Sequence, residues 1–382
     1  MSALWRFSID PDRASEGWLD PSAGGFRSKP ISSLAREIIQ NSLDAKNEND
    51  PLVRVTFKAH EVETSKLPDI SSLRHAISRC VNSEQIHSNH NIDLMRIAKN
   101  TIYQDRIKVL SIKEEGTKGM EGPCEPGKDV YNYMKVVAIS GKSSNEGNRG
   151  SHGIGKAAPL VCSKINTIFA STKYAGNAEQ ILGRASLCSH FDDEGAIRKG
   201  TGYWGKDGEP VEYDQLFPEW LNRKSPGTDI HILGFREPDY WVTTLLGSII
   251  KNFFVVICEG KLEVEIELDS QSKVSLKDAL ELNEEKISPP LPKNYRIDKE
   301  TIGKYFLSEH IQSDLAKLED LDLYSFLNAN GLYRAYIEAD YSHYQEIEGL
   351  GKVRFYLKIK SDEKNESESN NYNVGIVRDG MY

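Results

Sequence analysis

Apolar residues recur at helical spacing in one segment near the start of the chain, over residues 32–46. They stand three and four positions apart, at Leu34, Ile38, Ile39, Leu43 and Ala45. This spacing places them on one side of an α-helix. Pro30 precedes the segment, and Ser32 or Ser33 can cap its first turn. The pattern therefore predicts an amphipathic helix with a polar face opposite the apolar stripe.

Shorter segments alternate apolar and polar residues, or are rich in β-branched residues, and these predict strands. They are 52–59, 107–112, 134–140, 167–171, 228–233 and 262–268, and later 332–339, 353–359 and a segment that starts at Asn373. Residues 70–103 have a mostly helical pattern. Helices and strands thus alternate along the chain, which predicts an α/β fold.

A proline-rich segment, SPPLPK at 288–293, excludes regular structure and predicts a linker between two domains. We expect a first domain over residues 1–285 and a second over residues 294–382. The last residues begin a strand and stop at a glycine. We therefore expect the second domain to be incomplete in this chain.

Composition and charge narrow the class of protein. With 38% hydrophobic and 27% charged residues over 382 positions, the chain has the make-up of a globular protein long enough for two domains. Its net charge of −9 argues against a nucleic-acid interface over the whole chain, but leaves room for a local basic patch. Five cysteines without a CxxC pair argue against a disulfide framework or a structural zinc site. The sequence shows no signal peptide or membrane span, so we expect a cytoplasmic protein.

The predicted helix carries three polar side chains opposite its apolar stripe. Glu37, Asn41 and Asp44 follow one another at offsets of zero, four and seven, which stacks them along one face. Two carboxylates and an amide oxygen suit a hard cation and a water molecule that needs a base. Three polar residues are also typical of a solvated helix face, so the residues alone leave both interpretations open.

A glycine-rich segment, GSHGIGKAAP at 150–159, is a second candidate site. Glycines at this density let backbone N–H groups approach phosphate oxygens, and a following helix adds its N-terminal dipole. As a Walker A loop, the segment has Ala157 where a serine or threonine would hold magnesium. As a dinucleotide fingerprint, it matches weakly and lacks the acidic residue. The residues indicate phosphate binding without deciding the type of loop.

The segment REIIQNSLDA, which contains the three polar residues of the helix, resembles the N-box of the GHKL ATPases. This superfamily includes DNA gyrase, MutL, histidine kinases and the large heat-shock chaperones. The resemblance implies that Asn41 is a Mg²⁺ ligand, that Glu37 activates the water that attacks the γ-phosphate, and that Asp44 belongs to the nucleotide site. Histidine kinases generally lack this glutamate, so Glu37 favours hydrolysis. The implied fold is a two-layer α/β sandwich of Bergerat type with a mostly antiparallel mixed sheet, followed by a transducer-like α/β domain.

Two further segments match the superfamily. After the strand at 107–112, KEEGTKGM places Glu114 where the family has the aspartate that accepts the adenine amino group, and Gly116 and Gly119 would bend the chain around the base. Glutamate is one methylene longer, so either the loop backs away or the contact runs through water. In SPGTDI, Thr228 matches the threonine that lies beneath the adenine beside that acid.

The glycine-rich segment matches the lid of the superfamily, because it follows the N-box and the adenine loop in the family's order. This order favours a lid over a Walker A loop or a dinucleotide fingerprint. The resemblance implies ATP contacts from Gly150, Ser151, His152, Gly153, Ile154, Gly155 and Lys156.

The detail of GSHGIGKAAPL and GTDIHILGF is similar to that of the bacterial relatives of the MORC ATPases, which are often found in conflict systems against phage. This implies a slow, magnesium-dependent ATPase in anti-phage defence, whose ATP state closes a lid and drives homodimerisation or control of a partner protein. DNA binding stays open. One alternative is a nucleotide-gated interaction module with negligible hydrolysis, which Glu114 in place of aspartate favours. Another is a GHKL-type protein kinase, which Glu37 disfavours.

Overall fold

The structure is a computed structural model that describes residues 3–18, 26–50, 52–83, 86–136, 155–174, 176, 178–238 and 241–268, together with four later strands. Contacts divide the chain into two units. The first comprises Met1–Ser143, Gly150–Pro238 and Ile266–Gln271, and the second comprises Ser144–Arg149, Asp239–Glu265 and Ser272–Tyr382. The predicted domain boundary, between residues 285 and 294, lies outside the described residues and stays a prediction.

Strands and helices alternate through the described part of the first unit. Its strands are β1 (Leu4–Ile9), β2 (Val53–Glu63), β3 (Arg106–Glu115), β4 (Ser163–Lys173), β5 (Gln180–Ser186), β6 (His190–Phe191), β7 (Ile197–Gly205) and β8 (Gly227–Phe235). Its helices are α1 (Pro30–Asp44), α2 (Ile70–Asn82), α3 (Asn89–Ile102), α4 (Asp129–Met134) and α5 (Ala158–Val161).

These strands form a sheet in the order β1-β7-β5-β4-β8-β3-β2, with β6 beside β7, and neighbouring strands are antiparallel. Residues directly opposite each other project from the same face of a sheet. Thr172 on β4 lies opposite Thr228 on β8 and Gln180 on β5. Further along the same strands, Ile168 lies opposite Arg184. One face of the sheet thus carries polar residues at the ends of its central strands.

Helices cover this face. Helix α1 contacts β2, and helix α3 contacts β4. Ser42 of α1 reaches the carboxyl group of Glu114 on β3. The opposite face is covered by the segment between β7 and β8, where Trp220 packs edge-on against His231 with 4.8 Å between ring centroids. The sheet is therefore buried on both sides, and its helix-covered face holds the candidate site.

The predicted α/β class is confirmed, and so are most of the predicted elements. The helical pattern at 70–103 corresponds to α2 and α3, and the strands predicted at 52–59, 107–112, 167–171 and 228–233 correspond to β2, β3, β4 and β8. Helix α1 begins at Pro30, earlier than predicted. Because of this earlier start, Ser32 and Ser33 lie inside the helix and do not cap it. Lys29 precedes the first turn and makes no side-chain cap hydrogen bond.

The strand predicted at 134–140 is wrong at its start. Met134 is the last residue of α4, and its side chain is buried. The tertiary packing of this side chain outweighs the local strand pattern at Met134. Residues 137–140 lie outside the described part of the chain.

The described part of the second unit contains α6 (Trp241–Cys258), β10 (Asn294–Ile297) and an antiparallel sheet of β11 (Tyr341–Ile347), β12 (Gly351–Lys358) and β13 (Asn373–Arg378). Strand β9 (Leu262–Leu268) contributes residues to both units. β9, β12 and β13 match the strands predicted at 262–268, at 353–359 and from Asn373. The predicted strand at 332–339 and the predicted linker lie outside the described residues. Of the helices described, none combines the length and apolarity needed to cross a membrane.

Candidate functional site

Helix α1 keeps Glu37, Asn41 and Asp44 outside its buried face. Its buried side chains are those of the apolar stripe and two serines: Ile31, Ser33, Leu34, Ala35, Ile38, Ile39 and Ser42. Asn41 is exposed, and Glu37 and Asp44 are half-buried. Asp44 accepts a hydrogen bond of 3.0 Å from Nε2 of Gln40 in the same helix. The helix thus carries Glu37 and Asn41 one turn apart, in the arrangement that their spacing predicts.

The carboxylate of Glu37 lies against the first described residue of the glycine-rich segment. A methyl group at Gly155 would overlap Oε2 of Glu37. Lys156 donates from Nζ to the backbone carbonyl of Asn132 on α4. The structure therefore brings Glu37 together with Gly155 of the predicted lid, and it places Lys156 against α4. The other predicted lid residues lie outside the described part of the chain: Gly150, Ser151, His152, Gly153 and Ile154.

Glu114, near the end of β3, is half-buried among hydroxyl groups. The side chains of Ser42, Thr117 and Thr228 lie beside its carboxyl group. Burial raises the pKa of Glu114 above its usual value, while the hydroxyl of Ser42 and the positive charge of Arg223 oppose this rise. The carboxyl group thus connects α1, the loop after β3 and the start of β8, and the structure places Glu114 beside Thr228.

Thr228 continues into a short series of hydrogen bonds on the same face of the sheet. Its Oγ1 lies 3.0 Å from Oγ1 of Thr172 on β4. The Thr172 hydroxyl oxygen also accepts a hydrogen bond of 2.8 Å from the backbone N–H of Met120. The loop that follows Glu114 is therefore fastened to the central strands of the sheet. Thr172 was not among the predicted site residues, because a threonine within an apolar strand carries no signal of its own.

Gly116 and Gly119 let this loop pack closely against its neighbours. Their φ angles are +74° and +77°, in the left-handed region that favours glycine. A side chain at Gly116 would also overlap the backbone carbonyl of Leu52, and one at Gly119 would overlap that of Lys173. The chain therefore has a left-handed backbone conformation at both glycines and packs closely against its neighbours there, and a bend around the adenine base stays a prediction.

Arg223 is a buried residue that the sequence patterns did not identify. It forms an ion pair with Asp229 on β8 and donates to the backbone carbonyl of Glu114. It also donates to the carbonyl of Pro226 at 2.8 Å. Arg223 therefore holds the loop before Thr228 against the end of β3. The only feature of the sequence that could have indicated a role for Arg223 is its position just before SPGTDI, and this indication is weak.

Tyr133 on α4 is a second residue that the patterns missed. Its Oη is buried, and no residue in the described ranges forms a hydrogen bond with it. Its neighbour Asn132 accepts the hydrogen bond from Lys156. Tyr133 thus follows directly after the contact between α4 and the glycine-rich segment.

The residues present fit ATP and magnesium. Mg²⁺ is usually held by one or two protein oxygens, with phosphate and water at its other positions. Asn41 offers an exposed amide oxygen one helical turn from the Glu37 carboxylate, and Tyr133 offers a buried hydroxyl. Among the described residues, no group of three or more His, Cys, Asp or Glu side chains could hold a metal ion. A magnesium ion at Asn41 would therefore depend on nucleotide phosphates for its remaining ligands.

Comparisons with models of known protein families and with curated proteins find no match to this chain. The resemblance to the GHKL superfamily thus stands on short motifs and their order. The function is therefore inferred from the residues of the site and from how the fold brings these motifs together.

Proposed function

We propose that this chain is a GHKL-type ATPase that binds ATP and magnesium on the helix-covered face of its sheet and hydrolyses ATP slowly. The observation that carries this proposal is the convergence of motifs that lie far apart in the sequence. Glu37 on α1 meets Gly155, and Ser42 on the same helix meets Glu114, which lies beside Thr228. One helix therefore joins the residues proposed for hydrolysis to those proposed to bind the adenine ring.

Glu114 and Thr228 are the proposed adenine-binding residues. A carboxylate oxygen can accept a hydrogen bond from the adenine amino group, whereas guanine presents a carbonyl oxygen at the corresponding position. Because glutamate is longer than the aspartate of the superfamily, the adenine ring would lie farther from β3 or would bind through water. Since the carboxylate of Glu114 accepts a hydrogen bond from the amino group that only adenine offers at this position, we expect a preference for ATP over GTP.

Glu37 is the proposed general base. It would orient the attacking water and take up its proton during in-line attack on the γ-phosphate. Asn41 would hold the magnesium ion, whose charge offsets that of the phosphates. Lys156, next to Gly155, would add positive charge at the same end of the site. Asp44 would support this end from the next turn of α1.

The resemblance to MORC-like ATPases is the basis for the proposed role of the ATP-bound state. ATP would close the lid and favour a homodimer, or the control of a partner protein, in defence against foreign DNA. Residues 294–382 would then act as a transducer-like domain. Turnover would be slow, because lid and dimer steps limit it.

The test is to titrate the full chain with ATP and with GTP, with and without magnesium, and to measure phosphate release separately. We expect magnesium-dependent binding of ATP, weaker binding of GTP and slow release of phosphate. Binding of ATP without phosphate release would contradict the proposed hydrolysis and would support the alternative, a nucleotide-gated interaction module. Transfer of labelled phosphate to protein would indicate a kinase. The absence of ATP binding would contradict the site altogether.

A further inference from the structure

Helix α4 connects the two ends of the proposed nucleotide site. At its start, the N–H of Val130 donates a hydrogen bond of 3.2 Å to the carbonyl of Glu121, in the loop that follows Glu114. Towards its end, the carbonyl of Asn132 accepts a hydrogen bond from Lys156. The helix thus extends from the proposed adenine loop to the glycine-rich segment.

Tyr133 follows Asn132 and carries a hydroxyl group that the described residues leave without a partner. Its Oη is buried. A buried hydroxyl without a hydrogen bond costs free energy in a folded protein. Such a group therefore usually forms a hydrogen bond with a ligand or with water. Burial raises the pKa of this phenol; the charge of Arg184 opposes the rise, and the carboxylates of Glu114 and Glu37 add to it. The hydroxyl is therefore within electrostatic range of both proposed ends of the site.

Arg184 places a positive charge on the same face of the sheet. It lies on β5 opposite Ile168, four residues along β4 from Thr172, and residues an even number apart project from the same face. Its side chain is in the interior, since the residue is only 4% exposed. An anionic oxygen next to the Tyr133 hydroxyl would be stabilised by this charge.

We infer that Tyr133 binds the nucleotide, and that its hydroxyl donates a hydrogen bond to a phosphate oxygen that ADP and ATP share. The inference rests on the proposed function and adds a residue that lies outside the family-like motifs. The terminal phosphate of ATP would lie at Glu37 and Gly155, and the base at Glu114. Because α4 extends from the proposed adenine loop to the glycine-rich segment, a buried hydroxyl on this helix belongs with the phosphates between these ends.

The test compares Tyr133→Phe with Tyr213→Phe in the full chain. Tyr213 is the matched control, because its hydroxyl donates to the carbonyl of Phe217 in the segment that covers the other face of the sheet. Affinities for ATP, ADP and 2′-deoxyATP are measured by calorimetry with magnesium, and melting temperatures without nucleotide. Tyr133→Phe should weaken all three nucleotides by the same factor, about tenfold or more. It should leave the melting temperature without nucleotide unchanged or higher, and Tyr213→Phe should leave the affinities unchanged.

The other outcomes separate the inference from the proposed function. If wild type binds ATP and Tyr133→Phe binds it equally well, the inference fails and the proposed function stands. A loss confined to ATP would assign the hydroxyl to the terminal phosphate, and a loss that disappears with 2′-deoxyATP would assign it to the ribose. A lower melting temperature without nucleotide would show a structural partner. Each of these results overturns the inference, whereas a wild-type protein that binds no nucleotide overturns the proposed function as well.

Discussion

Oε2 of Glu37 occupies the space beside the α-carbon of Gly155 that a side chain at residue 155 would need. The glutamate lies on α1, and the glycine begins the 3₁₀ turn that leads into α5. In the proposed function, this contact joins the general base to the end of the lid segment. The position of the carboxylate therefore depends on a neighbour that has no side chain.

Gly155→Ala should lower ATP hydrolysis about tenfold or more and change ATP affinity only a few-fold. The added methyl group would push the flexible end of Glu37 aside, so that the base loses its alignment with the attacking water. Steady-state phosphate release and calorimetric titration measure the two effects. Gly17→Ala is the control, because its methyl group would meet only the end of the Asn91 side chain. Equal hydrolysis by Gly155→Ala and wild type would contradict the importance of this contact.

Glu37→Gln should cut hydrolysis by roughly 10²-fold, the usual scale for a positioned base, and leave ATP binding within a few-fold. The amide keeps the shape of the side chain but cannot take up the proton of water. The variant should also accumulate in its ATP-bound state. Glu48→Gln, which changes an exposed carboxylate just beyond α1, is the matched control. If turnover of Glu37→Gln equals that of wild type, the residue is only part of a solvated helix face.

Asn41→Ala should abolish the magnesium dependence of ATP binding without lowering the melting temperature of the free protein. Asn41 is exposed on α1, so its truncation removes no core contact. Titrations with ATP at several magnesium concentrations check the first effect, and thermal unfolding checks the second. Asn49→Ala, at an exposed position in the turn after α1, should change neither. A destabilised Asn41→Ala protein would make this residue a structural amide and would remove the metal assignment.

The sequence predicted the polar face of α1 well, because helical spacing alone determines which side chains share a face. The placement of Glu114 beside Thr228 could be expected only from the order of the family-like motifs, since nothing local to either segment joins them. Arg223 and Tyr133 could not be found in this way. The partners of Arg223 come from β3 and β8, which only the folded sheet brings together, and the burial of the Tyr133 hydroxyl likewise appears only in the folded chain.

Strands β5 and β7 were also missed, and their glycines explain why. A side chain at Gly183 would meet Trp204 and Trp5, and one at Gly202 would meet Phe7. These aromatic rings need the space that a β-branched residue would take. Glycine within a strand often marks such a close approach, but it weakens the pattern from which a strand is recognised.

His231 on β8 provides a test of the fold that is independent of nucleotide. It is fully buried on the face of the sheet opposite the proposed site. Its Nδ1 lies 2.8 Å from the hydroxyl oxygen of Ser111, which is also 2.8 Å from Nε2 of His60. Trp220 covers the ring edge-on. The imidazole is thus shielded from the bulk solvent that would stabilise a charge on it.

The charge state of His231 should couple folding to pH. Burial lowers the pKa of His231 well below its usual value, and the electrostatic influence of Lys113, His60 and Arg223 lowers it further. The unfolded chain takes up a proton at this residue near pH ~6.5, whereas the folded protein keeps the ring neutral to lower pH. Below about pH 6.5 the unfolded state thus binds more protons, and the free energy of unfolding falls as the pH falls. Above about pH 7.5, this residue adds no pH dependence.

Replacing His231 by glutamine should remove this contribution. As the pH falls from about 6.5 to about 5.5, the stability advantage of wild type over His231→Gln should shrink by about 1 kcal/mol, and below about pH 5.5 by about 1.4 kcal/mol per pH unit, the value for one proton. It should stay constant above about pH 7.5. Urea unfolding over this range measures both, and taking the difference between variants cancels the titration of groups that they share. His90→Gln, which changes an exposed histidine on α3, is the matched control. A difference that does not change with pH would mean that His231 titrates alike in the folded and unfolded chain. This result would contradict the predicted effect of its burial on the pKa.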